Sequence, residues 1–179
     1  MSSVFFHEDD YCQVEVLPVA SRAHCLAEMG HVEAFADAHR DGAGFTDIYL
    51  RGESPLPLAS LGITLEELRS AVGPLVPRFA QVFTGYGSYR ELCRSVCGWG
   101  LGDGEAMFAG VGEGEVVGPA WLSLYGISAE GAGLWCKVLR SLPRAEELLI
   151  ADWNAGLVVP LADEPQLAAY LTDKVVRGS

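Results

Sequence analysis

Between Tyr11 and Val16 the side chains alternate, with Cys12, Val14 and Val16 on one side and Tyr11, Gln13 and Glu15 on the other. That is the period of a half-buried strand. An unpaired carboxylate on the core side costs too much. The strand is therefore expected to start at Tyr11, leaving His7, Glu8, Asp9 and Asp10 in an exposed acidic N-terminal segment, residues 1–10. Ser21 is placed to cap a helix reaching about Ala38, with Cys25, Met29, Val32 and Ala36 as its core stripe and His24, Glu28, His31 and Phe35 beside it. After the turn Asp41 to Gly44, residues Thr46 to Arg51 read as a strand with Ile48 and Leu50 inward, and Ser54 to Leu58 as a Pro-rich loop.

Thr64 with Glu67 forms a capping box for a helix through Leu65, Leu68 and Val72 that stops at Gly73-Pro74. Leu75, Phe79, Val82 and Phe83 recur at helical spacing, and Ser88 with Glu91 predicts a further helix through Leu92, Val96 and the Cys93/Cys97 pair, ending at Gly98. From Gly98 to Gly118 there are eight glycines (98, 100, 102, 104, 110, 112, 114 and 118), which excludes a helix and predicts a surface loop holding a short strand at Ala106 to Ala109. Val116 to Leu124 is a stronger strand. Ser128 to Leu142 is a helix with Gly131 and Gly133 weakening its start, and Glu147 to Asp152 with Gly156 to Leu161 form a hairpin of central strands. Asp163 and Gln166 cap a last helix through Leu167 and Leu171, with residues 174–179 as a frayed tail.

Strands and helices interleave without regular βαβ alternation, so the expected class is α+β: a mostly antiparallel sheet with helices packed on it, in a single domain over 1–179. Composition agrees with a packed chain, since 50% of the residues are apolar and 20% are charged. No run approaches the roughly 18 apolar residues of a spanning helix, and no basic region precedes an apolar core at the N-terminus. The five cysteines, Cys12, Cys25, Cys93, Cys97 and Cys136, lack the spacing of a disulfide framework. A reduced, cytoplasmic protein is expected.

The net charge of −12 is concentrated at the front, where residues 1–60 hold ten acids against three bases. Such a field disfavours nucleic acid and anionic membranes and favours a basic protein partner. The glycine run has neither the Gly-x-Gly-x-x-Gly nor the Gly-Lys-Ser/Thr spacing of a phosphate loop, and no Gly-x-Ser-x-Gly elbow exists. His24, Glu28 and His31 lie on one helix face at i, i+4 and i+7. They are the residues a metal-dependent hydrolase would use, although the usual His-Glu-x-x-His pattern is absent. No metal or cofactor is assigned, and the pattern fits a solvated polar flank. A scaffolding homodimer, joined through an exposed edge of the hairpin, is a third reading.

The acidic front is the main candidate for recognition. Glu8, Asp9 and Asp10 supply charge, and His7, Tyr11, Gln13 and Glu15 add an amphipathic contact area. The stretch Phe5-Phe6-His7-Glu8-Asp9-Asp10-Tyr11-Cys12-Gln13 resembles the opening of small acidic proteobacterial immunity proteins of toxin–immunity systems, including those associated with type VI secretion. The resemblance covers about a dozen residues and the general plan of an acidic α+β domain ending in a Trp-containing hairpin and a helix. It implies a cytoplasmic protein that binds and blocks a cognate toxin without catalysis.

Overall fold

The Val14–Pro18 segment buries both of its sides. Val14 and Val16 join one core cluster, while Leu17 joins a second cluster across the sheet. Alternation here separates two covered faces rather than core from solvent. The computed structural model describes residues 2–42, 44–52 and 54–177.

In chain order the elements are β1 (Ser3–His7), β2 (Val14–Pro18), α1 (Arg22–Ala38), β3 (Arg40–Asp41), β4 (Gly44–Phe45), α2 (Leu65–Val72), β5 (Gln81–Gly85) and β6 (Glu91–Leu92). They continue with β7 (Val96–Gly102), β8 (Glu105–Val111), β9 (Val117–Leu124), α3 (Ala129–Arg140), β10 (Leu148–Asp152), β11 (Leu157–Pro160) and α4 (Glu164–Arg177). The fold is α+β. A six-stranded antiparallel sheet runs β11-β10-β2-β9-β8-β7. A smaller sheet, β1-β5-β6, pairs β1 with β5 in parallel and β5 with β6 antiparallel.

One face of the large sheet is covered by α2, α3 and α4. Val16, Met107, Ala120, Leu122 and Ile150 from the strands meet Leu68, Trp135, Val138, Leu139, Leu167 and Leu171 from the helices in one cluster. The opposite face is covered in two pieces. At one end α1 sets Cys25 and Met29 against Leu17, Leu149, Ala151 and Val158. At the other the small sheet sets Val4, Phe6 and Val82 against Ala106, Phe108 and Trp121.

The helix expected after Ser21 forms, but Ser21 does not cap it: its hydroxyl donates to Leu56 O (2.9 Å) instead. Other expectations hold, for stated physical reasons. The Thr64/Glu67 box is made in both directions, with Thr64 N–H donating to Glu67 Oε2 (2.9 Å) and Glu67 N–H to Thr64 Oγ1 (3.3 Å). Ser128 caps α3 by accepting from Gly131 N–H, and Asp163 caps α4 by accepting from Gln166 N–H. None of the helices is long and apolar enough to cross a membrane among the described residues.

Other expectations are corrected. Residues 1–10 are not an exposed segment, because Ser3–His7 is a strand whose Val4 and Phe6 are buried, and the acidic residues Glu8–Asp10 form a 3-10 turn after it. The next strand starts at Val14 rather than Tyr11. Thr46–Arg51 is irregular with Ile48 and Leu50 exposed, not inward. The helical spacing of Leu75, Phe79, Val82 and Phe83 is coincidental: Val82-Phe83-Thr84 is rich in β-formers and lies in β5. The Ser88/Glu91 spacing caps no helix, so Cys93 lies between two strands, Cys97 within β7, and the two are not one helical turn apart.

The glycine run is the largest correction, since it supplies most of β7, all of β8 and the first two residues of β9 instead of a surface loop. A Cβ on Gly98 would press on the Phe108 ring and Val82 at 3.3 Å, and one on Gly100, at φ +155°, would meet Glu105 O at 2.2 Å. Glycine here lets strands carry large aromatics in close contact. Only β10 of the hairpin is central, as β11 is the sheet edge. Lys174 to Arg177 is not a frayed tail but the last turn of α4, where Lys174 pairs with the buried carboxylate of Asp152; residues 178–179 lie outside the described residues.

Candidate functional site

The two covers on the divided face do not meet, and the turn after β1 stands at their seam. Cys12 takes φ +54°, a conformation costly for a residue with a side chain. This tight turn buries the Cys12 thiol and leaves Tyr11 outside, its ring 4.9 Å from that of Trp121 in an edge-on contact. Burial, then the neighbouring thiol, pushes the Tyr11 phenol up to about 12; burial, then Glu15, pushes the Cys12 thiol up to about 12. Neither group is primed as a nucleophile.

On one side of Tyr11 a cleft of about 610 Å³ opens between the two sheets. Phe6, Tyr11, Val96, Val111, Pro119 and Trp121 make its walls mostly apolar, and Glu8 stands among its lining residues. Gly110, Gly112 and Gly118 also line it, and their missing side chains leave the room. The volume falls within the range of ligand-sized pockets. Thr84 and Trp121, also in the lining, each hold a buried polar atom, Oγ1 and Nε1, without a partner. On the other side of Tyr11, a smaller cleft of about 370 Å³ contains Glu15, Arg51 and Trp153.

Among the acidic-front residues, His7 closes β1 half-buried, its ring 5.0 Å from that of Tyr86. Glu8 and Asp9 are exposed, and the Asp10 carboxylate accepts from Tyr125 Oη at 2.8 Å. Gln13 is half-buried, and its carbonyl accepts from Trp153 N–H. Glu15, expected to face outward, is instead directed to the second covered face, because the sheet is roofed there too. Trp153 Nε1–H donates to its carboxylate at 3.4 Å, and Arg51 lies 3.9 Å away with its guanidinium 4.1 Å over the Trp153 ring. Burial raises the Glu15 pKa above its ordinary value, opposed by Arg51 and Trp153. Glu15 therefore belongs to the smaller cleft, while His7, Glu8, Asp9, Asp10 and Tyr11 share one surface.

Three residues of that surface carry no sequence motif. Tyr86 and Tyr89 project from the turn joining β5 and β6, and Tyr125 follows β9. With Tyr11 they are 48–66% exposed. Tyr86 lies against His7 with the rings tilted, Tyr125 bonds Asp10, and the Tyr89 phenol is held up by its bond to Glu91 and, more weakly, by the charge of Glu8. The available sign was the run Gly85-Tyr86-Gly87-Ser88-Tyr89, aromatics set in turn residues.

The His24/Glu28/His31 stripe does not converge on a common point. Glu28 is buried and engaged: its Oε1 accepts from Gly52 N–H (2.7 Å) and Tyr49 Oη (2.9 Å), and its Oε2 faces His31 Nδ1 at 3.4 Å. These bonds, led by the Gly52 amide, hold its carboxyl below the ordinary range. Glu28 ties the irregular 46–52 segment to α1. Among the described residues no group of three or more His, Cys, Asp or Glu side chains could hold a metal ion.

Comparison with family models, with curated proteins and with solved structures finds no match to this chain.

Proposed function

We propose that the protein is a non-catalytic acidic binding protein whose partner is a basic protein, and that it acts as an immunity protein which binds and blocks a cognate bacterial toxin. The observation that carries this reading is the gathering of Tyr11, Tyr86, Tyr89 and Tyr125, four of the six tyrosines, around Glu8, Asp9 and Asp10. Tyrosine offers large contact area at low entropic cost and dominates protein interfaces, and carboxylates beside it reward an incoming Arg or Lys. The net charge of −12 would speed encounter with a basic surface. The resemblance of residues 5–13 to immunity proteins points to the same use. Co-expression with the product of the adjacent gene tests it: co-purification and rescue from toxicity are expected, and failure of both overturns the reading.

A further inference from the structure

The cleft between the two sheets opens beside this tyrosine and carboxylate surface, and its chemistry restricts what can enter. Its walls are apolar and aromatic, which suits a methylene stem packed against Phe6, Val96, Val111 and Trp121. Its mouth is acidic. Glu8 is part of the lining, with Asp9 next in the turn, and the chain between the lining residues Gly112 and Gly118 carries two further acids, Glu113 and Glu115. Arg94 lies between the lining residues Cys93 and Ser95, and Arg90 is held over the Phe5 ring at 4.5 Å, so neither base is itself part of the lining while Glu8 is. An anionic or neutral polar head would be repelled or left unpaired there; a cation is stabilised by the Glu8 carboxylate and by the exposed Tyr11 ring. The Trp121 N–H lies buried below the floor and takes no part.

We propose that this cleft seats one long basic side chain of the partner, an arginine or lysine whose stem lies between the sheets and whose charged head meets Glu8. The assignment rests on the reading that the partner is a basic protein, and it names the anchor of that interface. A Cβ at Gly118, which lines the cleft, would meet nothing nearer than Gly110 O at 3.7 Å, so a larger side chain there has open space to take up.

The test uses the full chain, ¹⁵N-labelled, titrated with n-butylguanidinium, 1-pentanol and pentanoate. Butylguanidinium is expected to give saturable shifts at the Gly110, Gly112 and Gly118 amides and the Trp121 indole. Its affinity should fall about three- to fivefold in Glu8→Gln and vanish in Gly118→Val. Pentanoate should not bind, and pentanol should bind more weakly. Equal binding of pentanol, or no saturable shift with butylguanidinium in the wild-type chain, overturns the anchor whether or not the variants fold. If partner capture persists and still depends on Asp9 while butylguanidinium fails, the anchor alone is wrong; if capture fails while butylguanidinium binds at Glu8, the immunity reading is wrong and the cation site stands.

Discussion

The two faces of the six-stranded sheet are built to different rules. On one, α2, α3 and α4 pack on the strands in one continuous core cluster, where Trp135, fully buried, donates its indole N–H to Glu105 Oε1 at 3.1 Å. On the other, α1 and the small sheet leave a seam holding a strained turn, two clefts, an exposed tyrosine group and an acidic rim. A continuous cover removes more apolar area from water and stabilises the fold. A divided cover leaves clefts at the seam. On the proposed reading, stability and recognition fall to opposite faces of one sheet.

Substitutions should separate the faces, and the largest effect belongs to the continuous one. Trp135→Ala is expected to cost about 3–5 kcal/mol in urea unfolding, whereas Tyr11→Ala at the seam should cost about 1 kcal/mol; similar costs would break the comparison. Next comes Asp152, buried at the end of β10, where it accepts from Tyr170 Oη (2.8 Å) and Ala155 N–H (2.9 Å) and pairs with Lys174. Asp152→Asn leaves the Lys174 charge without its partner and should destabilise by about 3 kcal/mol, which a lowered urea midpoint would reveal.

At the seam the expected change is in binding. Asp9→Lys should weaken partner binding at least about tenfold while moving stability by no more than about 0.5 kcal/mol, measured by calorimetry and by unfolding on the same sample. Asp10→Lys is a less clean probe, because it also removes the bond from Tyr125.

The smallest effects are in pH dependence, and two glutamates should move in opposite senses. Glu28 has a lowered folded pKa, so its stabilisation is present above the unfolded value and is lost as pH falls through the folded one. Glu15 has a raised folded pKa, so its ionisation opposes folding and stability is lost as pH rises through the carboxylate range. The cost of Glu28→Gln should therefore shrink between about pH 7 and about pH 3, and that of Glu15→Gln should grow. Parallel urea titrations at the two pH values check this, and equal trends would remove the distinction.

Local chemistry was legible in the residues wherever a short segment decides its own conformation. The caps at Thr64 and Asp163, the helices after Ser21 and Ser128, the strand ending at Leu124 and the terminal hairpin all follow from patterns a few residues long. So does the acidic character of the turn after β1, since charge density needs no fold to be seen. The α+β class followed from the order of those elements.

What the residues could not reveal depends on neighbours distant in sequence. Helical spacing at 75–83 and the Ser88/Glu91 box lost to strand pairing, because β5 is held by β1, nearly eighty residues earlier in register: Val4 opposes Val82 and Phe6 opposes Thr84. The glycines of 98–118 become strand residues only when Phe108, Trp121 and Val82 arrive to use the space. Glu15 faces a covered seam and not solvent because α1 and the Arg51 segment roof the second face of the sheet. Tyr86, Tyr89 and Tyr125 join Tyr11 for the same reason: pairing of β5 with β1 and of β9 with β2 carries residues more than seventy positions apart to one rim. The sequence by itself determined the elements with local signals and the sign of the surface charge, and the tertiary structure decided which face is closed and which is open.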